Sequence, residues 1–297
     1  MTTTSRPAGT HGRPRSAGTR GRTFAVLAAL ALALVPAFVL VPGPLAAGTS
    51  GSGFDDRDHL VGSLSASFVD HWRSGERDLS PDLARAVDHW LHFHVVKAVI
   101  AAALLAVLAA LGVLLWRAFL RAGGPGAGRG AGRGAALATA GAVVTVLGLA
   151  SSAAVLANVQ GAVAPLSSLL PMLPAHSPHG GLADTLDQVR HHLADRPGTG
   201  GRTPPAVGVM VGDFARYHLV AAVAALTAAV VLGGLSAVSW RRFAGTGRSD
   251  RRTRRVFGSF GLLWALSSAA YAVVAVANVS VAADPAPALL AFFEGGW

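Results

Sequence analysis

Two copies of one long apolar segment constrain this chain more than any other feature of its sequence. The first copy runs from His94 to Trp116 and the second from His218 to Trp240, and the residues Arg and Phe follow both at matching positions. Both copies are rich in alanine, valine and leucine and are long enough to cross a bilayer as helices. The sequence therefore predicts two transmembrane helices of one duplicated unit.

The repeat continues beyond these two helices. The tripeptide Ala-Asn-Val at 157–159 recurs at 277–279, Pro165 matches Pro285, and Pro44 is a weaker candidate for the same place further upstream. The predicted unit is a span, an outer segment and a second span, present twice, and a fifth span begins an incomplete third unit. Units of equal orientation are related by a pseudo-two-fold axis along the membrane normal.

Composition supports a membrane protein. The chain is 52% hydrophobic but only 13% charged, whereas soluble domains have about 25% charged residues. The absence of cysteine excludes disulfides, iron–sulfur clusters and thiolate metal sites. The strong preference for arginine over lysine, with Lys97 the single lysine, is typical of high-GC bacteria.

The net charge of +10 is unevenly distributed. Segments 1–22, 117–134 and 239–255 hold 16 of the 25 basic residues but 1 of the 15 acidic residues. Short arginine-rich segments mark the cytoplasmic side of a membrane protein. We therefore predict a plasma-membrane protein with a cytoplasmic N-terminus and an extracytoplasmic C-terminus. Nucleic-acid binding by the loop 241–255 is the less favoured interpretation, and no nucleic-acid partner is expected.

The predicted fold is all-α, with five transmembrane helices, a parallel internal repeat and two small helical extracytoplasmic segments. The predicted order is a disordered basic cytoplasmic tail (1–22), the first span (23–41), an outer segment (42–94), the second span (95–116), a cytoplasmic Gly/Arg loop (117–134), the third span (135–157), an outer segment (158–217), the fourth span (218–239), a cytoplasmic Arg-rich loop (240–255), the fifth span (256–281) and an outer tail (282–297). Five spans place every basic segment on one side.

The first span has an alternative interpretation. Segment 23–41 follows arginines and precedes small residues, as in a cleaved signal peptide. Its uncharged run is longer than the usual 7–15 residues of a signal peptide's apolar region. We therefore favour a retained helix, which Pro36 is expected to kink.

The two outer segments each contain an amphipathic pattern, with apolar residues at helical spacing. The apolar sets are Leu60, Leu64, Phe68 and Trp72 in the first segment and Leu182, Leu186, Val189 and Leu193 in the second. Ser80 and Pro81 predict a helix start, with Ser80 as the N-cap.

Histidines at the outer ends of the spans are the candidate ligand residues. His94 and His218 occupy equivalent positions, and His89 and His92 share one helix face beside Asp88. Imidazoles in such places suit zinc, copper or haem iron. The competing interpretation is an interfacial histidine or a solvated polar face, and no spacing matches a known zinc signature.

Three other polar residues near the outer ends of spans have structural interpretations. Asn158 and Asn278 are expected to cap a helix or to form hydrogen bonds between helices. Lys97 lies one turn inside a span, where a long side chain can reach the headgroups.

The sequence contains no nucleophile elbow, phosphate-binding loop or dinucleotide fingerprint. The middle of the spans also lacks the ionisable residues that ion-coupled transporters use. We therefore expect a non-enzymatic envelope protein, without a cofactor, that contacts the bilayer and binds a partner protein or copies of itself. The alternatives are a metal- or haem-binding membrane protein and a subunit of a channel or transporter.

Overall fold

A computed structural model describes residues 16–51, 53–54, 56–122, 131–174, 179–195 and 204–296. Within these ranges the regular structure is entirely helical. The helices are α1 (Ser16–Leu40), α2 (Pro42–Ser50), α3 (Arg57–Ser74), α4 (Pro81–Arg121), α5 (Ala131–Val163), α6 (Pro165–Leu169), α7 (Gly181–Ala194), α8 (Pro205–Gly245), α9 (Arg251–Ala283) and α10 (Pro285–Phe293). A short 3-10 turn, Leu170–Met172, follows α6.

Five of the described helices, α1, α4, α5, α8 and α9, are long and apolar enough to cross a membrane. Many of their large apolar side chains face outward, including Leu32, Val99 and Val276 at 75%, 64% and 72% exposure. Such a surface suits lipid rather than water. The predicted fold class, an all-α membrane protein with five spans, is confirmed.

The long helices form two antiparallel hairpins, defined here as hairpin one (α4 and α5) and hairpin two (α8 and α9). Helix α1 packs along α4, where Phe24 and Leu27 approach a small cluster containing Leu111 and Leu115. Hairpin one meets hairpin two mainly through α5 and α8. We call the end of the bundle that carries His94 the histidine side and the opposite end the arginine side.

Helices α4 and α8 each have 41 residues, which is about 60 Å of helix and roughly twice the thickness of bilayer hydrocarbon. Their first turns therefore extend beyond the spans on the histidine side. There they join α3, α6, α7 and α10 around one core, whose largest fully buried side chains are Leu64, Leu83, Leu169, Leu186, Val189, Leu289 and Phe293. The two outer segments and the C-terminal tail thus share a single core, which we call the helical cap.

Polar contacts also join the parts of the helical cap. The Nε1 atom of Trp72 in α3 donates to Oε1 of Gln188 in α7 at 2.8 Å. The Nε atom of Arg190 in α7 donates to the carbonyl oxygen of Phe293 in α10 at 2.9 Å. Segments distant in the sequence are therefore held together by specific hydrogen bonds as well as by apolar packing.

The internal repeat is visible in the order of the helices. Each of α1, α5 and α9 ends at a single non-helical residue, and a short helix that starts with proline follows. The three prolines are Pro42, Pro165 and Pro285. The tentative correspondence of Pro44 is thus wrong by two residues, because Pro44 lies inside α2 rather than at its start.

Several predicted details change in the structure. Helix α1 begins at Ser16, so part of the predicted tail 1–22 is helical, and residues 1–15 lie outside the described ranges. Of the predicted Gly/Arg loop, residues 123–130 also lie outside them. Helix α4 begins at Pro81 as the sequence indicates, but the Ser80 hydroxyl forms no capping hydrogen bond. Pro81 at the first helical position has no backbone N–H, so one of the N-terminal donors that would need a partner is absent.

Candidate functional site

The duplicated histidine of hairpin one joins its two helices. The Nδ1 atom of His94 in α4 lies 3.0 Å from Oδ1 of Asn158 in α5. The amide nitrogen of Asn158 donates to the carbonyl oxygen of Ala154, one turn earlier, at 2.7 Å. Asn158 is therefore held by its own helix while it binds the neighbouring one.

Hairpin two repeats this arrangement. The Nδ1 atom of His218 in α8 lies 2.7 Å from Oδ1 of Asn278 in α9, and the Asn278 amide donates to Val274 at 2.8 Å. Hydrogen bonds between helices are the expected role of asparagine in an apolar bundle, since few other polar partners are within reach. The predicted interhelical bonding of both asparagines is confirmed.

The asparagine contacts also determine the form of each imidazole. Because the amide nitrogen of Asn158 donates to its own helix, its oxygen is the atom that faces His94. The Nδ1 atom of His94 must then carry the proton, which leaves the lone pair on Nε2. The same reasoning applies to His218 and Asn278. An Nδ1–H donor that orients the ring in this way is typical of histidines that bind metals through Nε2.

The surroundings of the two rings differ. A Cβ atom placed on Gly161 would lie 2.7 Å from Cδ2, Cε1 and Nε2 of His94, so the ring lies directly on that glycine. The Nε2 atom of His94 is buried and has no hydrogen-bond partner among the described residues. Hairpin two carries Val281 at the position of Gly161.

Tryptophans join each hairpin at the arginine side. A Cβ atom on Gly141 would lie 2.9 Å from the Trp116 ring, and one on Gly261 would lie 2.8 Å from the Trp240 ring. Trp116 also donates to the Thr145 hydroxyl at 3.3 Å. Each hairpin is therefore held by a histidine–asparagine bond at one end and by a tryptophan on glycine at the other.

The remaining predicted ligand residues lie in different environments. His89 is 5% exposed, and its ring packs edge-on against Phe54 at 5.3 Å in the helical cap. His92 is half-buried, and its Nδ1 atom lies 2.8 Å from the carbonyl oxygen of Asp88. The described residues contain no group of three or more His, Cys, Asp or Glu side chains arranged to hold a metal ion.

The sequence analysis missed a carboxylate that organises the helical cap. Oδ2 of Asp213 in α8 accepts hydrogen bonds from both the backbone N–H and the hydroxyl of Ser167 in α6, each at 2.8 Å. At the equivalent places the first repeat unit has His89 in α4 and, two residues after the helix-starting proline, Pro44 in α2. Pro44 has no N–H to donate, so the first unit lacks both the carboxylate acceptor of Asp213 and the N–H donor of Ser167. This correlation is already present in the sequence.

No protein family, curated protein or solved structure matches this chain. The interpretation of the site therefore depends on its geometry. That geometry joins the two helices of each hairpin at both of its ends, and it leaves one acceptor nitrogen on each duplicated histidine.

Proposed function

We propose that this chain is a non-enzymatic membrane scaffold that holds its helical cap at the membrane surface to bind a partner protein or a second copy of itself. The observation that supports this function best is the continuity of α4 and α8, which run without a break from the core of the helical cap into the spans. The histidine–asparagine bonds lie at that transition, so they restrain each hairpin where the cap begins.

The distribution of charge supports an orientation. The arginine side carries the basic loops, whereas acidic residues are concentrated in the helical cap. By the rule that short basic loops stay in the cytoplasm, we propose that the cap lies outside the plasma membrane of a bacterial cell and that the N-terminus is cytoplasmic.

Helix α7 offers the proposed binding surface. Its apolar residues face the core, while Asp184, Asp187, His191 and Asp195 are exposed on the opposite face. Arg190 pairs with Asp187 at 2.6 Å, while its Nε atom donates to the carbonyl oxygen of Phe293, so Asp184 and Asp195 keep the face acidic. A partner with a basic surface is complementary to this face, and the charges would increase its rate of association.

The absence of cysteine makes the proposal testable in intact membranes. A single cysteine in Asp184→Cys reports on the exposed face of α7, and one in Arg248→Cys reports on the arginine side. We expect a membrane-impermeant maleimide to label Asp184→Cys in whole cells and Arg248→Cys only after permeabilisation. The reverse pattern would contradict the orientation.

Crosslinking tests the binding function separately. A short thiol-to-amine crosslinker on Asp184→Cys in native membranes should give one discrete adduct, either a dimer or a complex with a defined protein. Replacing Asp187 and Asp195 by asparagine should reduce that adduct, whereas Arg248→Cys should not form it. An undiminished adduct in the asparagine variant, or no adduct at all with Asp184→Cys, would argue against this surface.

Metal or haem binding is a second candidate, and the Nδ1–H donation that leaves Nε2 of His94 and His218 as an acceptor favours it. The test is the metal content and visible absorption of the full chain purified in mild detergent. Stoichiometric metal or a haem band that both His94→Ala and His218→Ala remove would support this candidate over the scaffold.

A further inference from the structure

An apolar cleft lies between hairpin one and α9 near the arginine side. It has a volume of about 180 Å³, and its walls include Trp116, Ala142, Val146, Phe260 and Leu263. Ala142 and Val146 are exposed, so the cleft opens sideways from the bundle rather than toward its centre. The rings of Trp116 and Phe260 are perpendicular at a centroid distance of 4.9 Å, so the two hairpins contact each other at the cleft.

A cationic side chain lies at the end of this cleft. The Arg252 guanidinium lies 3.7 Å above the Phe119 ring, and Phe119 in turn contacts Trp116 at 5.6 Å. A Cβ atom on Gly134 would lie 3.4 Å from a terminal nitrogen of Arg252, so the guanidinium also lies close to the start of α5. Arg252 thus belongs to the same wall of side chains as the cleft.

Arg252 has no carboxylate within ion-pair distance among the described residues, and its Nε atom is buried without a hydrogen-bond partner. Asp250 is the nearby acid, but it is exposed, its carboxylate accepts from the backbone N–H of Thr253 at 3.0 Å, and it interacts with Arg252 only beyond ion-pair distance. A guanidinium that stacks on an aromatic ring and forms no ion pair still has N–H donors that can bind an anion.

The repeat provides an internal comparison. Phe243 corresponds to Phe119, and Arg254 lies 4.1 Å above it. Arg254 donates to the carbonyl oxygens of Phe243 and Thr246 at 3.3 and 3.0 Å. The protein itself therefore supplies acceptors to Arg254, and it supplies none that the structure describes to Arg252.

We propose that the cleft and Arg252 together bind an anionic phospholipid, with an acyl chain in the cleft and the phosphate on the guanidinium. Arg252 and Ser259, which also lines the cleft, are seven residues apart on one face of α9, or about 10 Å along its axis. Arginine binds phosphate through two parallel N–H donors, and basic pockets between transmembrane helices are known to bind lipid headgroups. This site is separate from the proposed scaffold function.

The test uses the full chain in nanodiscs that contain phosphatidylcholine and phosphatidylglycerol, with bromine atoms on the acyl chains of one lipid at a time. Bromine quenches a tryptophan that it touches, and Trp116→Phe identifies the part of the fluorescence that comes from Trp116. We expect that part to be quenched about fivefold more effectively by brominated phosphatidylglycerol than by brominated phosphatidylcholine, as one arginine at the headgroup level implies.

Two variants should remove the preference, and two matched variants should keep it. Arg252→Gln removes the charge and Ala142→Phe fills the cleft, whereas Arg248→Gln and Val143→Phe change an exposed arginine and an exposed neighbour outside the cleft. The amount of phosphatidylglycerol that copurifies with each variant in neutral detergent provides a second measurement, independent of tryptophan.

Each of the following results would overturn the proposal. Equal quenching by both lipids would show a nonspecific annulus, and equal losses in Arg252→Gln and Arg248→Gln would show diffuse attraction. Full competition by millimolar inorganic phosphate would identify a free anion as the ligand. A doubled particle mass with the cleft protected from bromine would identify a second copy as the occupant.

Discussion

Hairpins one and two come from one repeated sequence, yet they agree at some places and differ at others. Both keep a histidine–asparagine bond at one end and a tryptophan on a glycine at the other. These contacts join two helices of the same hairpin and recur at matching positions in both copies. The repeat is therefore preserved where each hairpin contacts itself.

The hairpins differ where they meet unlike neighbours. Asp213 binds Ser167 in the second unit, whereas His89 packs on Phe54 in the first, where Pro44 has no N–H to offer. A buried polar residue can change only together with the residue that it contacts, because an unpaired buried polar group costs about 1–3 kcal/mol. The predictions below use one hairpin as the reference for the other, beginning with the largest effect.

Gly161→Val should cause the largest loss of stability. It places in hairpin one the residue that hairpin two carries, Val281, directly against the His94 ring. Overpacking of this kind costs up to about 3 kcal/mol, and the displaced ring would also lose its bond to Asn158. The measurement is the midpoint of thermal unfolding in mild detergent, with Val281→Gly as the reciprocal variant. Equal effects of the two variants would mean that the two histidine sites are packed alike.

Asp213→Asn should destabilise the helical cap by about 2 kcal/mol, the range for hydrogen bonds to charged groups. The carboxylate is only 12% exposed, so water replaces the lost interactions poorly. Asp187→Asn is the control, because that side chain is 75% exposed and a surface ion pair contributes little. Hydrogen exchange of the backbone amides in α6 should increase in Asp213→Asn alone. Unchanged exchange in α6 would contradict a capping role.

Asn158→Ala and Asn278→Ala should each cost roughly 1 kcal/mol, as interhelical hydrogen bonds in membranes do. The loss should be larger for Asn158, since it is buried and His94 lies on Gly161. Thermal unfolding of both variants, with Ser280→Ala as a neutral neighbour, checks the order. A larger loss in hairpin two would show that burial does not govern these bonds.

His71→Leu should have the smallest effect and should depend on pH. His71 in α3 lies where α7 has Leu193, if Leu60 is matched to Leu182. Burial lowers the pKa of His71 below its ordinary value of 6.5. The unfolded chain therefore binds a proton more readily, and stability falls as the pH drops below 6.5 toward the folded pKa, by at most about 1.4 kcal/mol per pH unit.

The control for this pH dependence is His191→Leu, because His191 is exposed on α7. As the pH is lowered from about 8 to about 5, a range that includes the titration of histidine, the midpoint of thermal unfolding should fall less steeply in His71→Leu than in the unmodified chain. His191→Leu should follow the unmodified chain. A parallel decline in all three proteins would exclude His71 as the group that titrates.

The fold class and the repeat could be predicted from the amino-acid sequence. The five apolar runs predict five spans because a chain in lipid must satisfy its backbone hydrogen bonds internally, which a long helix does. Recurrence of Asn158 at Asn278 predicted interhelical hydrogen bonds, because a polar residue in an apolar segment has few possible partners. That their partners are His94 and His218, which the sequence offered as ligand candidates, came from the structure.

The way in which these helices pack against one another could not be predicted from the sequence. The pattern of α3 and α7 showed that each helix has an apolar face, but not that both faces and α10 share one core, because apolar burial has no direction. The partner of Asp213 and the position of Arg252 beside the cleft also depend on helices distant in the sequence. Local periodicity therefore specifies each helix and its buried face, whereas the choice of neighbour depends on the close packing of the whole molecule.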